Sequence, residues 1–366
     1  MTQNTSVTDE PPLLEVKDLK VEFDTYGGSV QAVRGVSFSV EEGKTLAIVG
    51  ESGCGKSVTV QTLMGLVPMP PGRLKSGTAT LRGRNILGTS QIDGQDFRGS
   101  EIGMIFQDPM TSLNPTMTIG RQIAETLEVH RGWSHKKAFS RAIELLEMAR
   151  IPEAEQRAKQ YPFEFSGGML QRAMIAMAIA CEPAILIADE PTTALDVTIQ
   201  AQVLDLMGDL QQDHGTAIIL ITHDLGVVAR MADEVAVMYA GQIVERGSVD
   251  DIFYRSAHPY TVGLRAAMPS NDPSARRSLI PIEGSPPDLF SPPTGCAYAA
   301  RCPYAMKICS TSEPPPFVVG QDHFGKCWLH HEEVAGGWEK ILSGAPTLLT
   351  GAKMARASSP LAENKS

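Results

Sequence analysis

Gly50-Glu51-Ser52-Gly53-Cys54-Gly55-Lys56-Ser57 sets glycines, an amine and a hydroxyl at the spacing G-x-x-x-x-G-K-[ST]. That spacing suits a phosphate tail. Glycine lets the backbone turn tightly and bring several N–H groups onto a small anionic volume. A helix starting just after the loop adds positive potential. The lysine can reach β- and γ-phosphates, and the hydroxyl can ligate Mg²⁺. Chance gives the pattern in roughly one chain of this length in a hundred. A strand before the loop and a helix after it favour a phosphate site over a glycine-rich turn. The expected nucleotide contacts are Gly50, Ser52, Gly53, Gly55, Lys56, Ser57 and Val58. Cys54 occupies a free position of the pattern and is assigned no chemistry.

Other polar residues close apolar runs. Ala184 to Ala188 leads into Asp189 and Glu190, and Ile218 to Ile221 leads into Thr222 and His223. A buried strand delivers such residues to the carboxyl edge of a sheet, where α/β proteins bind ligands. Asp189 suits the Mg²⁺ shell, and Glu190 suits orienting a water and taking its proton. His223 can contact a γ-phosphate. Gln107, after Met104-Ile105-Phe106, could ligate Mg²⁺ or position water. Alone, each reads as a solvated strand end; the phosphate loop gives them their meaning. Ser166-Gly167-Gly168 opens an apolar helix near Met169. A serine cap with exposed glycine N–H groups makes a second anion site, although in an arbitrary chain it would be an ordinary cap.

Cys296, Cys302, Cys309 and Cys327 crowd near the C-terminus, with five, six and seventeen residues between them. In a reducing compartment such a cluster reads as a metal site before it reads as disulfides. Four thiolates can ligate a [4Fe–4S] cluster or structural zinc. Zinc favours close C-x₂₋₄-C pairs, which are missing, and the gaps match no common ferredoxin run. Spacing therefore leaves the metal open, and unliganded or partly oxidised cysteines remain an alternative.

These residues need strands and helices in alternation. Leu13 to Phe23, Val30 to Val40 and Gly77 to Gly83 read as strands of an antiparallel layer, with a turn at Tyr26-Gly27-Gly28. Val36, Phe38 and Val40 alternate with serines, giving one buried face. Thr45 to Val49, Ile185 to Ala188, Ala217 to Ile221 and Val235 to Tyr239 are short apolar runs, with a helix from about Val197 to Asp213 stopped by Gly215. Such alternation predicts a parallel sheet covered on both faces. Between about Pro109 and Cys181 the pattern turns helical, as in Ser134 to Ala149, with Ala138, Ile143, Leu146 and Ala149 on one face. Proline-rich residues 269–316 predict little regular structure.

Bulk properties exclude some functions. The formal net charge of −10 and the lack of a basic patch argue against nucleic acid. The longest apolar stretch, Ala173 to Cys181, ends at Glu182-Pro183, far short of a membrane span. The first twelve residues are polar, with no apolar signal-peptide core. The expected location is therefore the cytoplasm, with any membrane role exercised through partners.

Phe165-Ser166-Gly167-Gly168-Met169-Leu170-Gln171-Arg172 resembles the signature motif of ABC ATPases, L-S-G-G-x-x-x-R, departing at Phe165. Gln107, the Thr193-Ala194-Leu195-Asp196 segment and His223 follow in the family's order for the Q-loop, D-loop and H-loop. The resemblance covers about residues 13 to 250. It implies an α/β P-loop NTPase cassette with a RecA-like parallel sheet core, an antiparallel β layer and a helical insertion. It also implies ATP and Mg²⁺ as ligands, with ATP held between the phosphate loop of one domain and the Ser-Gly-Gly of another. The family stacks adenine on an upstream aromatic; Phe23 is the candidate and Tyr26 the alternative.

Phe106 to Pro115, Ala257 to Thr261, Gly295-Cys296 and Arg301-Cys302-Pro303 resemble the dipeptide and oligopeptide import branch, to about residue 330. This implies an ATP-hydrolysing subunit at the cytoplasmic face of the inner membrane, peripheral to it. The implied partners are a homologous ATPase subunit, two membrane permease subunits and a periplasmic or extracellular solute-binding protein. Some members of the branch carry a C-terminal iron–sulfur cluster on a similar cysteine pattern, so the resemblance implies [4Fe–4S] here. The branch also serves nickel, glutathione and some sugars. The expected organisation is a disordered terminus at 1–12, an ATPase domain at 13–260 with a helical subdomain at about 108–180, a small irregular Cys-rich region at 261–332 and a tail at 333–366. Repair or ribosome-associated ABC ATPases usually carry two cassettes or a long coiled coil, neither of which is present. A non-hydrolysing regulatory module is disfavoured by Lys56, Asp189, Glu190 and His223.

Overall fold

Alternating side chains build the first layer. Strands Leu14–Thr25 and Gly28–Val40 pair antiparallel, Gly72–Leu81 lies on the other side of the first, and Arg84–Asn85 is at the edge. Val36, Phe38 and Val40 are buried while Ser37 is exposed. The computed structural model describes residues 11–88, 91–92, 95–193, 195–267, 281–334 and 336–339. Most of the expected disordered N-terminus (residues 1–10) and most of the expected tail (340–366) lie outside the described residues, as do 268–280 and Ala194.

The apolar runs form the second layer. Five strands are parallel, in the spatial order Glu234–Tyr239, Thr45–Val49, Ala217–Thr222, Ile185–Asp189, Ile102–Ile105. Every residue of the three central strands is buried. That is the pattern of a sheet covered on both faces, where no position tolerates a solvated side chain. One face packs on the antiparallel layer through Val21, Phe38, Ile48, Ile187 and Ile219. The other lies under helices, with Ile123, Leu146, Leu170, Leu206 and Leu220 in one cluster.

Helices Ile119–Arg131, His135–Met148 and Gly167–Ala178 form the insertion between the strand ending at Ile105 and the strand starting at Ile185. Helix Val197–His214 starts where the Asp196 carboxylate accepts N–H bonds from Thr198 and Ile199, each 3.0 Å. Such a cap is worth about 1 kcal/mol. The helix stops at Gly215, whose φ of 65° suits glycine.

Two strands beyond the cassette were not legible in the sequence. Gln242–Ser248 returns antiparallel to Glu234–Tyr239, His323–Gly325 pairs antiparallel with it, and Phe317–Gly320 forms the edge. The Cys-rich segment therefore extends the main sheet instead of hanging from it. Glu245, fully buried, anchors the junction: its Oε1 accepts from the Ala257 N–H at 2.6 Å and lies 3.0 Å from His323 Nε2. The rest of that segment, 281–316, is mostly irregular, with short helices Ala299–Arg301 and Lys307–Thr311.

Candidate functional site

Sheet register brings the polar residues to one edge. Ile221 lies opposite Asp189, and Thr222 opposite Val49. The loop after Val49, the acids after Ala188 and the histidine after Thr222 therefore leave the sheet side by side.

The loop Gly50–Gly55 needs its glycines for lack of space. A Cβ at Gly50 would sit 2.2 Å from the Met238 carbonyl oxygen. At Gly55, with φ +103°, it would sit 2.4 Å from the Ala32 carbonyl oxygen. Lys56 is 5% exposed, and its ammonium donates to the carbonyls of Gly50 at 2.9 Å and Glu51 at 3.0 Å. The amine thus lies along the loop it would share with a phosphate. Cys54 is buried, and burial pushes its thiol pKa up, so it stays neutral.

Ser57 Oγ donates to Asp189 Oδ1 at 2.8 Å. Asp189 is 3% exposed; burial, helped by the Glu190 charge, raises its carboxyl pKa, while Ser57 and Lys56 pull it down. Ser57 and Asp189 set two oxygens side by side, the donor type that a hard divalent cation takes. Glu190 adopts φ 49°, and its N–H donates to Ile221 O at 2.9 Å. A left-handed backbone at a non-glycine residue costs on the order of 1–3 kcal/mol and collects at functional sites. Its Oε2 accepts from Gln107 Nε2 at 3.2 Å and Thr193 Oγ1 at 2.9 Å, and its Oε1 is 3.5 Å from His223 Nδ1. Lys56, Ser57, Gln107, Asp189, Glu190 and His223 therefore form one connected site.

Ser166 and Gly167 stand elsewhere, exposed at the start of helix Gly167–Ala178. Ser166 Oγ accepts the Met169 N–H at 3.3 Å, and no side chain fills the space over Gly167. Phe165 is 8% exposed and packs in the helical cluster, so an aromatic takes the apolar place usually held by leucine. Phe23 is half-buried against the inter-sheet core, whereas Tyr26 stands fully in solvent at the turn.

Cys296, Cys302, Cys309 and Cys327 line one small cavity with His258 and Tyr298. None is in a disulfide. Burial pushes the thiol of Cys296 up to about 11 and that of Cys327 up to about 12, and raises Cys302 as well; neighbouring thiols add to each shift. Among the described residues, no three His, Cys, Asp or Glu side chains are grouped so as to hold a metal ion.

Sequence reasoning missed several residues of the site. Thr193 holds Glu190, although in the sequence it stands only within a family segment. Glu51 and Arg301 form an ion pair across 250 positions, and Tyr260 Oη accepts the Glu51 N–H at 2.9 Å. Arg301 stood in a motif that marked the branch, but no local signal pointed to its partner.

Similarity to known proteins matches this arrangement. A family model described as ABC transporter matches residues 33–193, and one described as the oligopeptide/dipeptide transporter C-terminal region matches 244–309. The chain is 60% identical to the oligopeptide transport ATP-binding protein OppD of Bacillus subtilis over 321 residues, covering 88% of this chain and 90% of that one. It is 56% identical to the dipeptide transport ATP-binding protein DppD of Lactococcus lactis, covering 87% and 91%. A dimeric ATP-binding cassette solved in a post-hydrolysis state with ADP and Pi overlays with TM-score 0.58 at 26% identity, covering 64% of this chain and 98% of that one. Among the described residues no helix is long and apolar enough to cross a membrane. These matches place the chain in the ABC transporter ATP-binding proteins of the oligopeptide/dipeptide family.

Proposed function

We propose that this ABC ATPase powers import of oligopeptides or dipeptides through permease subunits docked on its helical insertion, at the cytoplasmic face of the membrane. The observation that carries the reading is the single edge at which Lys56, the Ser57–Asp189 pair and the Gln107–Glu190–His223 group converge. The likeness to peptide transport ATP-binding proteins of two organisms supports the substrate class.

In this reading, loop N–H groups and Lys56 bind the phosphates, and Ser57, Asp189 and Gln107 would hold Mg²⁺. The ion would supply charge neutralisation on the phosphate oxygens. Glu190, held by Gln107 and Thr193, orients the attacking water and takes its proton. His223 faces the γ-phosphate position, and Phe23 stacks on the adenine. Ser166 and Gly168, with Gly167 exposed between them, would face the ATP of another chain and not this chain's own. They complete the nucleotide site of a homologous ATPase subunit paired head to tail, a pairing favoured by the dimeric cassette of similar fold. A solute-binding protein outside the membrane delivers the peptide.

The resemblance to branch members with a similar cysteine pattern is what assigns a [4Fe–4S] cluster to Cys296, Cys302, Cys309 and Cys327 in this reading. Four unpaired thiols line one cavity, buried so that bare thiolates there would be costly. Cationic iron lowers that cost by ligating them. The cluster would staple a segment with little regular structure.

The test is ATP-driven uptake of labelled peptide into vesicles holding the complete complex. Uptake lost in Lys56→Ala and ATP hydrolysis stimulated by peptide-loaded binding protein are expected. ATP hydrolysis indifferent to every peptide would refute the substrate assignment.

A further inference from the structure

The geometry points to Arg301 as a positioning residue for the phosphate loop, through which the cysteine segment sets ATP affinity. This rests on the reading that the loop binds ATP.

Glu51 is a liability where it stands. It follows Gly50 directly, at a position where the motif accepts any residue. It brings a negative charge into a loop built to receive a triphosphate, and like charges a few ångströms apart repel strongly away from bulk water. Arg301 cancels that charge. Its Nη1 donates to Glu51 Oε2 at 2.7 Å and its Nη2 to Oε1 at 2.9 Å, a two-pronged pair. The Arg301 side chain is 5% exposed. Its other N–H groups are also engaged: Nε donates to Glu283 O at 3.0 Å, Nη2 to Ile282 O at 3.2 Å and Nη1 to Tyr239 Oη at 3.3 Å. The guanidinium therefore has its five N–H groups bonded and is fixed in place.

The backbone of Glu51 is held too. Its N–H donates to Tyr260 Oη at 2.9 Å, and its carbonyl accepts from Lys56 Nζ at 3.0 Å. Tyr260 packs on Tyr239 and Tyr298, with ring centroids 4.6 and 5.4 Å away. Tyr298, Arg301 and Cys302 belong to one short stretch. The segment that carries the cysteines thus grips the loop's carboxylate directly through Arg301, and packs through Tyr298 on Tyr260, which holds the peptide N–H. The lysine that would meet the phosphates shares the same carbonyl.

The experiment is MgATP titration of the full-length chain, with Lys56→Ala as the floor. Arg301→Gln leaves Glu51 unpaired beside the nucleotide and is expected to raise Kd about tenfold or more. Adding Glu51→Gln removes the stranded charge and is expected to restore Kd to within about threefold of wild type. Such a rescue would not follow if Arg301 only stabilised the C-terminal fold. A wild-type Kd in Arg301→Gln, or a loss that Glu51→Gln does not reverse, overturns the proposal. If Arg301→Gln does not fold, Arg301→Lys takes its place. It keeps the charge without the fork and is expected to raise Kd about threefold; an unchanged Kd overturns the proposal. A wild-type chain without affinity for MgATP would overturn both the nucleotide reading and the brace.

Discussion

Glu190→Gln separates proton transfer from everything else this residue does. The amide has the volume of the acid and keeps one oxygen. In the structure two donors, Gln107 Nε2 at 3.2 Å and Thr193 Oγ1 at 2.9 Å, share Oε2, and His223 Nδ1 stands 3.5 Å from Oε1. The amide oxygen can keep both donors while its NH₂ turns toward the histidine. The side chain should therefore stay where it is, and ATP binding should persist, aided by the loss of one negative charge near the phosphates. What disappears is the proton acceptor. A positioned general base contributes about 10²–10⁴-fold. At about 1.36 kcal/mol per factor of ten, that adds roughly 3–5 kcal/mol to the barrier. The assay is single-turnover hydrolysis in the assembled complex, paired with nucleotide titration. The expected result is normal or tighter binding, a rate lower by two orders of magnitude or more, and a trapped closed dimer. A rate within about threefold of wild type would refute the assignment of the base.

Gly50→Ala puts a Cβ 2.2 Å from the Met238 carbonyl oxygen and 2.9 Å from Cys54 Sγ, so the loop must move; loss of ATP binding and destabilisation of at least about 1–3 kcal/mol are expected in nucleotide titration and thermal melts. Phe23→Ala should raise Kd for ATP about three- to tenfold while Tyr26→Ala leaves it unchanged, and the reverse order in a fluorescence titration would move the stacking role to the exposed tyrosine. Ser166→Arg should impair the nucleotide site of the partner subunit; mixing it with partner variants checks this, and impairment confined to the site containing Lys56 would refute head-to-tail pairing. Anaerobic purification should give brown protein with about four irons per chain, lost on Cys302→Ser, and stoichiometric zinc without iron would refute the cluster.

Much of the cassette was legible because its signals are local. Thr45 to Val49 is apolar throughout, and in the sheet every one of those residues is buried. The alternation of Val36, Phe38 and Val40 with serines announced a one-sided layer, and Gly215 ended its helix where expected. Motif spacing located the phosphate loop because backbone turns and a helix start depend on adjacent residues. The orientation of side chains was not legible. That Ser57 meets Asp189 across 132 positions, or that Gln107 reaches Glu190 across 83, follows from the relative placement of strands that no local pattern encodes.

The C-terminal segment shows the same limit from the other side. Its prolines and short apolar stretches read as an irregular appendage. Phe317–Gly320 is a four-residue edge strand whose Val318 is 84% exposed, so it lacks both the length and the alternation that mark a strand. Its place in the main sheet depends on His323 meeting Glu245 inside the protein, 78 positions away. Arg301 reaches Glu51 across 250 positions in the same way. Composition made this region look separable because composition reports on neighbours in sequence. Its strongest polar contacts are with residues of the cassette. Where such contacts are buried and charged, losing one partner leaves an uncompensated charge in the other. Excising the segment would therefore strand Glu245 in the sheet and Glu51 in the phosphate loop, and the cassette and its C-terminal segment stand or fall as one unit.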